Sequence, residues 1–272
     1  MKKLNIIMTQ SISETFRILK EKNEFALVPF ITAGDPDLDV TEQALEALEA
    51  EGASVIELGL PYSDSLADGP VIQAAAARAL SNDISAIDIL VRLESITQRL
   101  STPIVIFTYY NLVLCQGIEN FVLKIVSSGA KGLLIPDLPL EESEELLELC
   151  QSNKLELILL IAPTSSPERI QMIAEKSQGC LYLVAANGVT GLKSDFDIEV
   201  KNFINKVKKI TTKPVIVGFG VSNASQAALI KSWGVAGVVL GSAFVRQLEI
   251  YSKKEGLSSF KNFCRQIKSA LA

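Results

Sequence analysis

Short apolar runs alternate along the chain with longer amphipathic stretches. The runs are rich in Val, Ile and Leu, which is typical of parallel strands that are buried on both faces. Eight such runs occur, at 25–33, 53–60, 103–110, 131–138, 155–162, 180–186, 214–220 and 236–243. Each run is followed by a stretch with helical spacing of its apolar residues. The pattern therefore predicts eight β/α units.

The stretches between the runs carry local helix signals. The segment 38–52 repeats apolar residues at helical spacing and ends at Gly52. Acidic residues open 141–154, where the helix dipole favours them, and Pro167 suits the first turn of a helix over 166–177. A further helical pattern over 222–234 ends at Gly234. These signals support the alternation of strands and helices.

The alternation predicts one architecture more than any other. Eight β/α units in 272 residues favour a (β/α)8 TIM barrel. We expect an extra N-terminal helix over 9–23 and a closing helix over 257–269. No low-complexity linker divides the chain, so 1–272 is expected to form a single domain. A doubly wound open sheet is the alternative.

Composition narrows the class of function. Hydrophobic residues make up 48% of the chain, charged residues 21%, and the net charge is −5. An acidic chain is a poor candidate for binding nucleic acid or an anionic membrane surface. No apolar run approaches the roughly 20 residues of a membrane span, and the one at the start is too short for a signal peptide. We therefore expect neither nucleic acid nor a membrane as a partner.

Cysteine and histidine usage limits the chemistry further. The four cysteines lie far apart without a CxxC pair, so they indicate neither a zinc site nor a disulfide framework. We expect no metal site. The chain has no histidine, which removes the commonest general base and the commonest metal ligand. If the protein is an enzyme, carboxylates, Tyr, Lys or backbone groups carry its chemistry.

A carboxylate stands inside the second apolar run, which reads SVIELGLPYSDSLADGP from residue 54. Alternation along a strand puts Val55, Glu57 and Gly59 on one face and the apolar Ile56 and Leu58 on the other. Glu57 would then point into the barrel near the C-terminal ends of the strands, where barrel enzymes place their active sites. The alternative is a glutamate of the barrel core held in a salt bridge.

Two aspartates, Asp64 and Asp68, follow in the loop after this strand. Loop aspartates are more often turn or cap residues than functional ones. Asp68 could simply cap a helix that starts near Val71. The residues alone leave these alternatives open.

Glycines after the later strands predict a site for an anion. Gly218 and Gly220 end the seventh run, Gly241 and Ser242 end the eighth, and Gly188 and Gly191 follow the sixth, as NGVTGL. Glycine lets the backbone approach a ligand, and the N–H groups at helix N-termini attract anions. Barrels commonly bind phosphate after strands 7 and 8. A single Gly-x-Gly usually marks a turn, but two on consecutive strands favour a phosphate site.

Six motifs together give the chain a family resemblance. They are FITAGDP, ELGLPYSDSLADGP, PDLPLEE, GVTG, GFGVS and LGSAFV, and they extend over nearly the whole chain. In sequence and order they resemble the α subunit of tryptophan synthase. The resemblance implies a (β/α)8 barrel that splits indole-3-glycerol phosphate into indole and glyceraldehyde 3-phosphate. It also implies a β-subunit partner, in an α2β2 tetramer, which alone holds pyridoxal phosphate. No cofactor is expected in this chain.

The resemblance assigns roles to the acidic residues. Glu57 matches the catalytic glutamate that protonates indole C3 and helps to move the glycerol hydroxyl proton. Asp68 matches the second catalytic carboxylate, which interacts with the indole N–H. Asp64 matches a residue at the contact between the α and β subunits.

Other positions match the substrate site of the family. Those around the indole are Phe30, Tyr109 and Tyr182, and those around the phosphate are Gly191, Gly220, Gly241 and Ser242. Thr190 matches a loop residue that meets the second carboxylate when its loop closes. Each aromatic residue could equally belong to the ordinary core.

The chain departs from the family pattern at two places. Ser65 stands where the family usually has proline, which gives this loop more freedom. Ala185-Ala186-Asn187 stands where the family often has Ser-Arg-x, and the missing arginine bears on loop closure. Neither departure touches the two catalytic carboxylates.

Three functions are compatible with these features. The leading hypothesis is an indole-3-glycerol-phosphate lyase, in the cytoplasm or a plastid stroma. A second is a non-catalytic allosteric activator of the β subunit, against which the retained carboxylates and glycines argue. A third, which the number of matching motifs disfavours, is an unrelated sugar-phosphate isomerase on the same fold.

Overall fold

The fold is a closed barrel of eight parallel strands. The computed structural model describes residues 9–184, 194–218, 220–251 and 255–272, with the backbone alone for 194–197. The strands follow one another in sequence order around the barrel, and the eighth pairs with the first. The predicted TIM barrel is therefore confirmed, and the open-sheet alternative is wrong.

Strands and helices alternate through the described residues. The strands are β1 Ala26–Thr32, β2 Ile56–Gly59, β3 Ile104–Phe107, β4 Gly132–Leu134, β5 Glu156–Ile161, β6 Leu181–Val184, β7 Val215–Gly218 and β8 Gly237–Leu240. The helices are α1 Ile12–Glu21, α2 Leu38–Ala50, α3 Pro70–Leu80, α4 Ala86–Thr97, α5 Tyr110–Gln116, α6 Ile118–Ser127, α7 Glu144–Ser152, α8 Pro167–Lys176, α9 Ser194–Ile210, α10 Ala224–Ser232, α11 Ser242–Glu249 and α12 Ser258–Ala270. A 3-10 turn over Leu140–Glu142 precedes α7. Across the described ranges, every helix falls short of the length and hydropathy that a bilayer crossing requires.

Most of the predicted helix signals are confirmed. Pro167 opens α8 directly after Ser166, whose side chain caps the helix by accepting the N–H of Arg169. Gly234 follows α10 with a positive φ of 71°, the conformation that glycine adopts most easily. The extra N-terminal helix and the closing helix appear as α1 and α12.

The apolar runs extend beyond several strands. The third run reaches Tyr110, but β3 ends at Phe107, and Tyr109 is the N-cap of α5. The fourth run covers eight residues, whereas β4 has three. Residues beyond the strand ends stay apolar because they are still buried at the rim of the barrel: Tyr109 and Ile135 are both buried. The apolar runs therefore predict which residues are buried, but they do not predict where each strand ends.

The strands lie between two apolar layers, one inside the barrel and one outside it. The inner cluster fills the barrel and includes Val28, Val55 and Val105, closed off by Ile12 and Phe16 of α1. The outer cluster packs the other faces of the strands against the surrounding helices and includes Ile56, Leu58 and Leu93. Strand residues thus alternate between the two layers, as the period of two predicts.

The same alternation fixes the side-chain directions on β2. Val55 belongs to the inner cluster, and Ile56 and Leu58 belong to the outer one. Glu57 therefore points into the barrel, and its register partners are Phe30 on β1 and Val105 on β3. The fold holds this carboxyl group at a fixed depth below the C-terminal rim.

The loop after β2 leads directly into α3. Gly69 is the N-cap of α3 and Pro70 its first residue, and no side chain caps this helix. Asp68 is therefore not the cap of α3, which removes that alternative reading. The side chain of Asp68 therefore does not serve to cap this helix.

Candidate active site

Glu57 is a buried carboxyl group without an ionic partner. The residue Glu57 is only 1% exposed, and its Oε1 atom has no hydrogen-bond partner among the described residues. Burial raises the pKa of Glu57 to about 8, because the charged form loses its hydration. No cation of the described part of the chain opposes this shift, so a salt-bridged core glutamate is not what the structure shows. Near neutral pH, Glu57 carries a proton that it can donate.

Asp68 occupies a different environment at the start of α3. Its side chain is half-buried, and burial raises its pKa from the ordinary value. Hydrogen bonds from the Tyr109 and Ser65 hydroxyls act in the opposite direction, because they stabilise the carboxylate. Burial is the larger of these effects, so the pKa of Asp68 stays above its usual value.

Tyr109 joins the loop after β2 to the barrel. Its phenol oxygen accepts the backbone N–H of Ala67 at 3.2 Å, and its ring lies 5.3 Å from that of Tyr62. Burial, followed by the charge of Asp68, raises the pKa of the Tyr109 phenol above its usual value. Tyr109 therefore stays neutral and can donate its proton to Asp68 in a hydrogen bond.

Aromatic side chains form a wall beside the two carboxyl groups. The ring of Phe107 makes edge contacts with Phe30, at 5.4 Å between centroids, and with Tyr109, at 6.2 Å. Phe30 lies across Gly59 so closely that a Cβ there would come within 2.5 Å of its ring. Glycine at 59 thus leaves the space that the Phe30 ring occupies, and a flat apolar ring could pack against this wall.

Tyr182 reaches the same space from β6. Its ring is buried, and its hydroxyl lies against Gly218, where a Cβ would come within 2.2 Å of it. Burial raises the pKa of Tyr182 well above its usual value, and the charges of Glu57 and Asp68 add to the shift. Tyr182 therefore stays neutral.

The predicted phosphate positions lie at the ends of β7 and β8. Gly220 follows β7 with a positive φ of 47°, and Gly241 is the N-cap of α11, which Ser242 opens. The first N–H groups of a helix have no partner within it and favour an anion. A Cβ on Gly241 would meet Ile72 at 3.5 Å and Phe30 at 3.7 Å, so this glycine adjoins the aromatic wall.

Three predicted loop positions cannot be placed. Gly191 and Thr190 lie outside the described residues, as does the segment with Ala186. The predictions for them rest on the sequence alone.

Asp64 lies in an exposed part of the loop that also carries Asp68. It is exposed in the loop between β2 and α3, and its neighbour Leu66 is 84% exposed. Its backbone carbonyl accepts the N–H of Leu66 at 3.0 Å, which folds this part of the loop into a tight turn. An acidic and an apolar side chain therefore stand together at the rim, available to a partner.

The sequence reasoning missed several contributors to the site. Phe107 completes the aromatic wall. Val105, two residues earlier on the same strand, faces into the barrel, so strand alternation could have predicted that Phe107 also faces inward. Gln73 donates to the backbone carbonyls of Asp68 at 2.9 Å and of Ser65 at 3.4 Å. Ser65 was noted only as a departure from a pattern. No sequence signal connects Ser65 or Gln73 to Asp68, because their contacts depend on how the loop folds back.

A cavity of 770 Å³ opens at the opposite end of the barrel. Its walls include Arg17, Lys154 and Lys213 and none of the predicted site residues. Barrel enzymes place their chemistry at the C-terminal ends of the strands, and this cavity lies at the N-terminal ends. Within the described residues, no group of three or more acidic or cysteine side chains is arranged to hold a metal ion.

Comparisons with known proteins agree with the resemblance. A family model described as tryptophan synthase alpha chain matches residues 16–272. The chain is 51% identical over 262 residues to the tryptophan synthase alpha chain of Picosynechococcus sp., with 96% of this chain and 99% of the relative covered. It is 49% identical over 261 residues to that of Pyropia yezoensis, with 96% and 98% covered. The crystal structure of tryptophan synthase subunit alpha from Legionella pneumophila superposes with a TM-score of 0.87 at 32% identity, with 96% and 97% covered.

Proposed function

The chain belongs to the tryptophan synthase alpha chain family, a lyase family of tryptophan biosynthesis, and from this premise we propose that it cleaves indole-3-glycerol phosphate to indole and glyceraldehyde 3-phosphate. The observation that carries the proposal is the pair of carboxyl groups at one end of the barrel. Burial raises the pKa of both, but only Asp68 receives hydroxyl hydrogen bonds. Environments that differ in this way allow one group to act as an acid and the other as a base.

Glu57 is the proposed general acid. With a pKa of about 8, roughly nine in ten molecules carry the proton at pH 7, against about one in 500 for an unperturbed glutamate. Its proton goes to indole C3, which leaves a positive charge on the ring. The Glu57 carboxylate then takes the proton of the glycerol hydroxyl beside the breaking bond. The electrons of that carbon–carbon bond return to the ring, an aldehyde forms, and Glu57 is protonated again.

Asp68 is proposed to act on the indole nitrogen. A carboxylate that accepts the indole N–H stabilises the positive charge that develops on the ring when C3 is protonated. For this role Asp68 must be ionised, which the hydrogen bonds from Ser65 and Tyr109 support. The wall of Phe30, Phe107 and Tyr109 would hold the ring between the two carboxyl groups.

The phosphate is proposed to bind to backbone N–H groups near Gly220, Gly241 and Ser242. Such a site depends on local dipoles, so an overall negative charge does not prevent it. Gly191 and Thr190 are proposed to contribute from the loop after β6. Phe30 and Tyr182 would then face the other end of the same substrate.

A β subunit is the proposed partner, in an α2β2 tetramer in the cytoplasm or a plastid stroma. Pyridoxal phosphate would belong to that subunit. The exposed Asp64 and Leu66 support a contact at the rim of this chain, and the same loop carries Asp68. A partner that binds this loop could therefore change the position of a catalytic group. We also propose that the whole chain folds as one domain.

The test is the release of indole from indole-3-glycerol phosphate, measured with and without a β subunit. We expect the chain alone to release indole slowly and the complex to release it faster. If the chain activates the β subunit but releases no indole under either condition, the proposed enzyme is excluded. The non-catalytic activator would then be the correct function.

A further inference from the structure

Gln73 stands in the first turn of α3, and its side chain reaches back to the loop before the helix. Its Nε2 atom donates to the backbone carbonyl of Asp68 at 2.9 Å and to that of Ser65 at 3.4 Å. Both carbonyls belong to the turn that carries the proposed base. The Gln73 amide therefore links the start of a helix to the backbone of this turn.

The backbone of Asp68 is hydrogen-bonded on both sides of its Cα atom. Its N–H donates to the carbonyl of Ser65 at 3.1 Å, and its carbonyl accepts from Gln73. Among the described residues, the Gln73 amide is the one donor that reaches this carbonyl. The direction of the N–H follows from φ and that of the carbonyl from ψ, the two free rotations of a residue. The two hydrogen bonds together therefore fix the direction in which the Asp68 side chain leaves the backbone.

The Gln73 amide also spans a glycine at the junction of loop and helix. Gly69 separates Asp68 from α3 and has no side chain that could cap the helix. Glycine restricts the backbone less than any other residue, so this junction gains rigidity from a bond across it. The helix itself is held in place, because Ala75 and Ala79 are buried against the barrel. Gln73 thus connects Asp68 to a firmly packed element.

We propose that Gln73 is a positioning residue, which holds the backbone of Asp68 through its side-chain amide and thereby aims the Asp68 carboxyl group at the indole N–H. The inference rests on the proposed lyase function and adds a residue to it. Gln73 acts through the backbone of Asp68 and does not touch the substrate in this account.

A badly aimed Asp68 should impair the reaction more than the binding of the substrate. The carboxylate interacts most strongly with the indole N–H when positive charge develops on the ring, which happens in the transition state. An interaction that is made mainly in the transition state contributes to kcat and little to KM. Loss of the Gln73 amide should therefore lower kcat and leave KM nearly unchanged.

The test compares Gln73→Met with the matched control Gln171→Met in the kinetics of indole release. Methionine has a side chain of similar length without a donor. We expect kcat to fall about fivefold in Gln73→Met, with KM within about twofold of the wild-type value, because one ordinary hydrogen bond is lost. Gln171 is exposed like Gln73, and its amide donates to Glu175 at 3.1 Å within α8. Gln171→Met removes a comparable hydrogen bond far from Asp68 and should leave kcat unchanged.

A double-variant cycle separates positioning from a general effect on the fold. In an Asp68→Ala background there is no carboxyl group to aim, so adding Gln73→Met should cause no further loss of kcat. If Gln73→Met fails to fold, Gln73→Leu removes the same amide and replaces it in both experiments.

A wild-type kcat in the folded Gln73→Met protein would overturn the inference, as would a loss confined to KM. Equal losses of kcat with and without the Asp68 side chain would also overturn it. These results would leave the proposed function intact, provided the wild type releases indole. A wild type without indole release would instead overturn the function, and the inference with it.

Discussion

Glu57 and Asp68 carry the same functional group, but one is fixed on a strand and the other lies in a loop. Glu57 is 1% exposed inside the barrel, and its Oε1 atom lacks a hydrogen-bond partner among the described residues. Asp68 is only half-buried, and the hydroxyls of Tyr109 and Ser65 oppose the effect of burial on its pKa. Glu57 is therefore shielded from water inside the barrel, whereas Asp68 has hydroxyl groups nearby in its loop.

This difference shows how one short segment can hold an acid and a base. Burial without donors favours the protonated form of Glu57, whereas the hydroxyls near Asp68 offset part of the effect of burial on its pKa. Strand β2 holds the Glu57 carboxyl group at a constant depth, whereas the position of the Asp68 carboxyl group can change with the loop. A partner that binds the loop at Asp64 could then regulate the base and leave the acid unchanged.

The strongest test of the strand-held acid is Glu57→Gln. Glutamine keeps the size of the side chain but has no proton to transfer. We expect kcat for indole release to fall by about 10²–10⁴-fold, because general acid catalysis is lost. The exposed Glu24 provides the control Glu24→Gln, which should retain wild-type activity. A Glu57→Gln variant with more than a tenth of wild-type kcat would rule out Glu57 as the acid.

The stability of the same variant tests whether Glu57 is buried and protonated. The folded pKa of about 8 lies above the unfolded value, so the folded state holds an extra proton between about pH 4.5 and 8. Wild-type stability should therefore fall as pH rises through this window, by about 3–4 kcal/mol between pH 5 and 8. Glu57→Gln cannot ionise and lacks this contribution. Urea unfolding of both proteins at several pH values measures the difference, and parallel curves would contradict the buried acid.

A strand-end glycine tests the phosphate site. A Cβ on Gly241 would have its nearest neighbour at 3.5 Å, so the fold has room for a small side chain there. Gly241→Val should keep the fold but fill the proposed phosphate space, and we expect KM to rise about tenfold. Gly69→Ala is the control, since nothing lies within 4 Å of a Cβ at that position. An unchanged KM in a folded Gly241→Val protein would place the phosphate elsewhere.

The smallest expected effect concerns the exposed part of the loop. Asp64→Ala should reduce the activation of indole release by the β subunit about threefold, with little change in the rate of the chain alone, because a single rim charge contributes on the order of 1 kcal/mol or less. The measurement is the ratio of rates with and without saturating β subunit. Equal losses in both assays would mean that Asp64 only shapes the loop.

The sequence predicts the barrel better than it predicts the loop that carries Asp68. Alternating apolar runs identify all eight strands, because each strand is buried on both faces. The inward direction of Glu57 follows from the period of two. The fold of this loop does not follow from any pattern, since the N–H of Ala67 donates to the hydroxyl of Tyr109, which lies 42 residues further along the chain. Contacts between distant loop residues are set by tertiary packing and leave no periodic signal.

The pH dependence of kcat/KM for indole release tests the central claim most directly, since it reports both carboxyl groups of the free enzyme at once. The account predicts a bell-shaped profile. Its acidic limb follows the ionisation of Asp68, and its alkaline limb lies near pH 8, where Glu57 loses its proton. A rate that stays constant or rises between pH 7 and 9 would contradict the account, because the acid would then not be a buried glutamic acid.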